Sequence, residues 1–126
     1  MYTDGGFMPT TRNPDGSSRM VPLLQLGMVP GDYVVIATVD LENTSTFGGL
    51  VKCQLANLSG ILYARERQYV TPLIGPESGG GSMTLTIAGF FPTATTLNVQ
   101  CATYADGPTL PVIRGETRLI LMPAQV

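Results

Sequence analysis

Between Asp32 and Asn43 the chain alternates with a period of two, the pattern of a half-buried β-strand. Tyr33, Val35, Ala37, Val39 and Leu41 share one face, and Thr38, Asp40 and Glu42 lie opposite. Successive strand side chains point to opposite sides, so the first set is directed at a core. Val34 and Ile36 on the second face predict that its first half is covered as well. No window of ten or more residues carries a convincing helical period.

The same alternation recurs in short segments. Leu50 to Leu55 directs Val51, Cys53 and Leu55 inward. Ser82 to Ala88 sets Met83, Leu85 and Ile87 against Thr84 and Thr86, and Thr95 to Tyr104 sets Leu97, Val99 and Cys101 against Asn98 and Gln100. Met20 to Met28, edged by Pro22, Ile61 to Ile74, as one long strand or two, and Glu116 to Met122 complete about seven strands. Turn signals separate them at Val29-Pro30-Gly31, Phe47-Gly48-Gly49, Gly75 to Gly81, Phe91-Pro92 and Asp106-Gly107-Pro108. This spacing predicts an all-β fold, a single antiparallel two-sheet sandwich or jelly roll over residues 21 to 126. Residues 1 to 20 hold Gly5-Gly6, Met8-Pro9 and Asn13-Pro14-Asp15-Gly16, which predict an extended arm without regular structure. Tyr2, Phe7 and Met8 could dock that arm on a neighbour.

Composition narrows the chemistry. The 126 residues include seven Lys plus Arg, nine Asp plus Glu and no His. A net charge of −2 excludes a basic nucleic-acid-binding module. Without histidine, the commonest general base and the commonest metal ligand are both missing. The sequence opens without a signal-peptide pattern and has no spanning apolar run, so the expectation is synthesis in a cytoplasm without membrane insertion.

Cys53 and Cys101 both fall on inward faces by alternation. Two such cysteines can face each other across a sandwich core and form an inter-sheet bridge. The other reading is a pair of unpaired buried thiols packing as small hydrophobes. Neither is catalytic, since no histidine exists to activate a thiolate.

The Gly75 to Ser82 segment lacks the Lys-Ser/Thr and helix of a phosphate-binding loop, and reads as an inter-strand loop. Asp40 and Glu42 read as a solvated strand face rather than an opposed catalytic pair. Arg65, Arg67 and Tyr69 share a face with Glu66 opposite. That pattern suits a partner contact, in which Arg and Tyr are enriched, and equally a charged edge strand that blocks unwanted pairing. No enzyme, cofactor or metal site is expected.

The run Val29-Pro30-Gly31-Asp32-Tyr33-Val34-Val35-Ile36-Ala37-Thr38-Val39-Asp40-Leu41-Glu42-Asn43 resembles the opening strand of small β-sandwich virion proteins of actinobacterial tailed phages. Val51-Lys52-Cys53-Gln54-Leu55, Gly79-Gly80-Gly81, Met83-Thr84-Leu85-Thr86-Ile87 and Val99-Gln100-Cys101 follow in the order of that pattern, while Ala64 to Ile74 fits it less well. The resemblance implies a structural module of a phage particle, a head decoration protein or a tail-tip or fibre domain, often trimeric. The expectation is therefore a capsid decoration protein that stabilises the shell by binding its assembled surface, with a major capsid protein as partner. A receptor- or carbohydrate-binding tip is the alternative, and it requires aromatic residues gathered at one end of the sandwich.

Overall fold

Each alternating segment is a strand in the computed structural model, which describes residues 2–5, 21–46, 48–73, 79–104 and 113–124. The strands are β1 (Tyr2–Gly5), β2 (Val21–Met28), β3 (Gly31–Asn43), β4 (Gly49–Asn57), β5 (Leu62–Val70), β6 (Gly79–Phe91), β7 (Thr95–Tyr104) and β8 (Ile113–Pro123). They form two antiparallel four-stranded sheets, ordered β1-β8-β3-β6 and β2-β7-β4-β5. Only β4 and β5 are consecutive strands paired as a hairpin; every other connection passes from one sheet to the other. Eight strands wound this way make a double-sheet jelly roll.

β3 is the axis of the first sheet, pairing with β6 from Gly31↔Phe91 to Asn43↔Gly79 and with β8 from Tyr33↔Pro123 to Asn43↔Ile113. Its inward residues Val35, Ala37, Val39 and Leu41 are buried against Val51, Leu55, Leu97 and Val99 of the other sheet. Met83, Leu85, Leu119 and Leu121 complete the first sheet's share of the core. Val34 and Ile36 are half-buried on the outer face, beside Met122 and Ile120 in register.

Several expectations need correction. The eighth strand, β1, lies within the stretch expected to be irregular: Tyr2–Gly5 pairs with β8 from Tyr2↔Ile120 to Gly5↔Thr117. Four residues carry too little pattern to announce a strand whose partner lies more than a hundred positions away. Gly79 to Gly81, expected as a turn, are the first residues of β6, while residues 74–78 lie outside the described part. β5 ends at Val70 rather than running on to Ile74.

Candidate interaction surfaces

β4 and β7 are neighbours in one sheet, and Cys53 and Cys101 are register partners across them. Their sulfurs are joined in a disulfide, with Cα atoms 4.1 Å apart. The pairing across the core considered from sequence is therefore replaced by one within a sheet. Alternation shows which face a residue takes but not which sheet its strand joins. Both cysteines are fully buried, so the bond belongs to the core and offers no surface.

The outer face of the same sheet carries Arg65, Arg67 and Tyr69 on β5, opposite Gln54, Lys52 and Leu50 on β4. Lys52 Nζ lies 4.7 Å from the centroid of the Tyr104 ring, a cation–π contact one strand further in. Gln54 Nε2 donates to Gln100 Oε1 at 2.8 Å and ties β4 to β7 on this face. Lys52, Arg65, Glu66 and Arg67 border a shallow depression of about 320 Å³. Sequence reasoning found the two arginines and Tyr69. It missed Lys52 and Tyr104, which join them only through strand pairing. Asn98, expected on the solvent side, is 5% exposed, because β7 lies between β2 and β4 and its outer face is partly covered.

The outer face of the first sheet is polar in its second half, where Asp40 stands opposite Glu116 and Glu42 opposite Arg114 in register. Among the described residues no group of three or more His, Cys, Asp or Glu could hold a metal ion. Of the arm residues singled out, Tyr2 lies in β1 opposite Ile120; Phe7 and Met8 lie outside the described residues.

A further surface gathers residues that the sequence reading split between a turn (Val29) and strands (Ile61, Leu62 and Met122). The β2–β3, β4–β5 and β6–β7 connections and the end of β8 meet at one end of the sandwich. There Val29 is 70% exposed, and Leu58 and Phe90 are 66% exposed; Ile61, Leu62 and Met122 are exposed beside them. Asp32 is the only charged residue in segments 28–34, 56–63, 88–95 and 121–124, which build this end. The apolar content of those segments was the available signal.

A cleft of about 630 Å³ opens at this end between β5 and β6, lined by Asn57, Ile61, Tyr63, Thr86, Phe90 and Phe91 among others. Buried Phe91 organises its floor. Its ring centroid lies 5.5 Å from that of Tyr63, edge-on, and 6.3 Å from that of Tyr33. The Tyr33 hydroxyl donates to the Val29 carbonyl at 2.8 Å and fixes the β2–β3 turn. The β4–β5 turn is held by Asn57, whose Oδ1 accepts from Ile61 N–H at 2.8 Å. Asn57 Nδ2 also donates to the Tyr63 hydroxyl at 3.3 Å. Gly60 closes the turn at a φ of 89°, where a side chain would be strained. The cleft is therefore preformed and uncharged, with Tyr63, Phe90 and Phe91 as its aromatic lining.

No protein-family model matches the sequence, and no curated protein matches it. Among solved structures, the chain is similar to the VP2 subviral particle of infectious bursal disease virus. The TM-score is 0.53 at 8% identity, covering 97% of this chain and 30% of that chain. The structure of the Gx strain of infectious bursal disease virus aligns with a TM-score of 0.52 at 9% identity, over 97% of this chain and 29% of that one. An arabinose-bound α-L-arabinofuranosidase aligns at a TM-score of 0.47 and 15% identity, over 84% of this chain and 18% of that one, too weak a likeness to build on. At these identities the likeness is one of fold. The chain spans less than a third of the length of the viral chains it matches.

Proposed function

We propose that this chain is a structural protein of a virus particle, and more narrowly a decoration protein of a tailed-phage capsid. It acts by binding rather than by chemistry. The observation that carries this reading is the separation of its surface. One end of the jelly roll exposes six large apolar side chains and a single charge, while Lys52, Arg65 and Arg67 lie elsewhere. Those six side chains present several hundred Å² of apolar surface, at or above the roughly 300–600 Å² patch of a typical monomer. That approaches the roughly 800 Å² per partner of a standard interface. A protein that covers such a patch only on an assembled shell stabilises the assembly by mass action. The jelly roll shared with viral VP2 over nearly the whole chain supports the virion setting. The Lys52, Arg65, Arg67 and Tyr69 face would supply a second, polar contact.

The test is the copy number of the chain in purified particles, measured by quantitative mass spectrometry. Hundreds of copies are expected. A handful would move the protein to the tail, and its absence from particles would overturn the virion reading.

A second reading, a carbohydrate-binding tip module, is favoured by one observation: Tyr33, Tyr63, Phe90 and Phe91 gather at the cleft end. Aromatic faces beside Asn57 and Thr86 suit a neutral saccharide. Selective retention on a glycan array, abolished by Phe90→Ala and Tyr63→Ala, would establish it; no binding to any glycan would remove it.

A further inference from the structure

We propose that this chain associates with further copies of itself face to back, the basic outer face of its β2-β7-β4-β5 sheet meeting the acidic outer face of the β1-β8-β3-β6 sheet of the next copy. Two like-charge pairs carry the inference. Lys52 and Arg67 are register partners on β4 and β5. Asp40 and Glu116 are register partners on β3 and β8. Partners directly across an antiparallel ladder hold their Cβ atoms about 5 Å apart, and like charges so placed are destabilising. Each pair therefore works against its own sheet until something of the opposite sign covers it.

The other charges on these faces do not offset them. On the acidic face, Glu42 stands opposite Arg114 and Asp4 opposite Arg118, two couples of opposite sign that leave Asp40 and Glu116 in excess. The strands of the other sheet hold Lys52, Arg65, Glu66 and Arg67 as their charged residues. Arg65, opposite Gln54, adds a third cation to the outer face. Glu66, the one carboxylate bordering the Lys52 depression, is paired with buried Cys53 and so leaves β5 on the side opposite the two arginines. Even with Glu66 counted, three cations less one carboxylate leave two positive charges, against two negative charges on the acidic face. Asp40, Glu116, Arg65 and Arg67 are all exposed. Guarding an open edge accounts for Arg65 and Arg67 on β5. It does not account for Lys52, Asp40 or Glu116, which lie on interior strands.

The occupant that these two faces fit is a second copy, which brings the opposite charge to each of them by definition. Apolar surface lies beside both charged pairs. Leu50 and Tyr69 form the rung next to Lys52 and Arg67, with Tyr69 53% exposed. Ile36 and Ile120 lie half-buried further along the ladder that holds Asp40 and Glu116. Surface ion pairs are individually weak, so charge selects the partner and its orientation while these side chains add area. The two outer faces lie on opposite sides of the sandwich. Joining one to the other is a heterologous contact, which leaves a free face on each copy and does not close after two. The inference goes beyond the virion reading and does not depend on it.

Sedimentation equilibrium of the full chain at low salt tests it: the weight-average mass should climb with concentration past twice 13.4 kDa. Raising the salt to about 0.5 M should weaken the association by about tenfold or more, because exposed charges are then screened. Arg65→Glu with Arg67→Glu, and separately Asp40→Lys with Glu116→Lys, should each leave a single-chain mass. An equimolar mixture of the two variants should regain association, since each supplies the face that the other has lost. That rescue separates a lost contact from a lost fold. Arg67→Glu alone turns the Lys52 rung into a pair of opposite charges and should not lower Tm. A single-chain mass for the wild type at its highest soluble concentration would overturn the proposal. So would a mass that stops at a dimer, association indifferent to salt or to both variants, or a mixture that stays monomeric.

Discussion

Cys53 and Cys101 stand directly opposite each other on the two central strands of one sheet, joined by their sulfurs, with Cα atoms 4.1 Å apart. That spacing is close to the roughly 4.5 Å of a non-hydrogen-bonded antiparallel pair, where side chains approach most closely. The bond spans 48 positions of sequence and therefore restricts the unfolded chain, by about 4 kcal/mol on the loop-entropy model. The native protein should show no titratable thiol without reductant and two after reduction and unfolding. Cys53→Ala combined with Cys101→Ala should lower the unfolding free energy by about 3–4 kcal/mol in urea titrations. Two free thiols in the native, unreduced protein would contradict the bridge.

Phe90 and Phe91 are neighbours with opposite roles. Phe91 is 7% exposed and packs on Tyr33 and Tyr63, so Phe91→Ala should destabilise the chain by about 3–5 kcal/mol. Phe90 is 66% exposed, and Phe90→Ser should change stability by no more than about 0.5 kcal/mol. On the virion reading, Phe90→Ser should still weaken co-sedimentation with particles at least tenfold, as loss of a buried aromatic anchor does. Equal effects of the two substitutions on stability would remove the apolar end as a free surface.

Strand periodicity made most of this fold legible, and pairing is what it left out. The inward faces of β3, β4, β6 and β7 follow directly from alternation, down to Val35, Val51, Leu85 and Val99. Alternation has no term for which strands lie side by side. For that reason the Cys53–Cys101 relation, the Lys52–Tyr104 contact and the pairing of β1 to β8 could not be read. Asn98 alternates as a surface residue yet is buried, because its burial depends on β2 and β4, five and three strands earlier in sequence order. The apolar end was present in the sequence as Val29, Leu58, Ile61 and Phe90, but these residues are scattered over three connections that only strand pairing brings to one end.

Gly79 and Gly89, both in β6, should respond oppositely to a methyl group. A Cβ at Gly79 would run into the Thr71 carbonyl, and backbone cannot move aside cheaply. Gly79→Ala should therefore cost about 1–3 kcal/mol, in the range of overpacked sites. A Cβ at Gly89 meets nothing within 4 Å, and the backbone there is not left-handed. Gly89→Ala should stabilise by about 0.4–1 kcal/mol by restricting the unfolded chain. Thermal unfolding of the two variants side by side checks both signs.

Thr117 and Asn43 are both fully buried polar residues of the first sheet, but only Asn43 has its oxygen satisfied. Asn43 Oδ1 accepts from Ser45 N–H at 2.8 Å, holding the chain as it leaves β3. Asn43→Ala should remove that hydrogen bond from a fully buried site and lose about 1–3 kcal/mol. Thr117, opposite Val39 in register, has a hydroxyl with no hydrogen-bond partner. Burying an unpaired hydroxyl is unfavourable, so exchanging it for a methyl of nearly the same volume removes a penalty without opening a cavity. Thr117→Val should stabilise the chain by about 1 kcal/mol and raise Tm by roughly 3–6 °C. A fall in Tm would mean that the hydroxyl is bonded in solution, to a water or to a main-chain carbonyl.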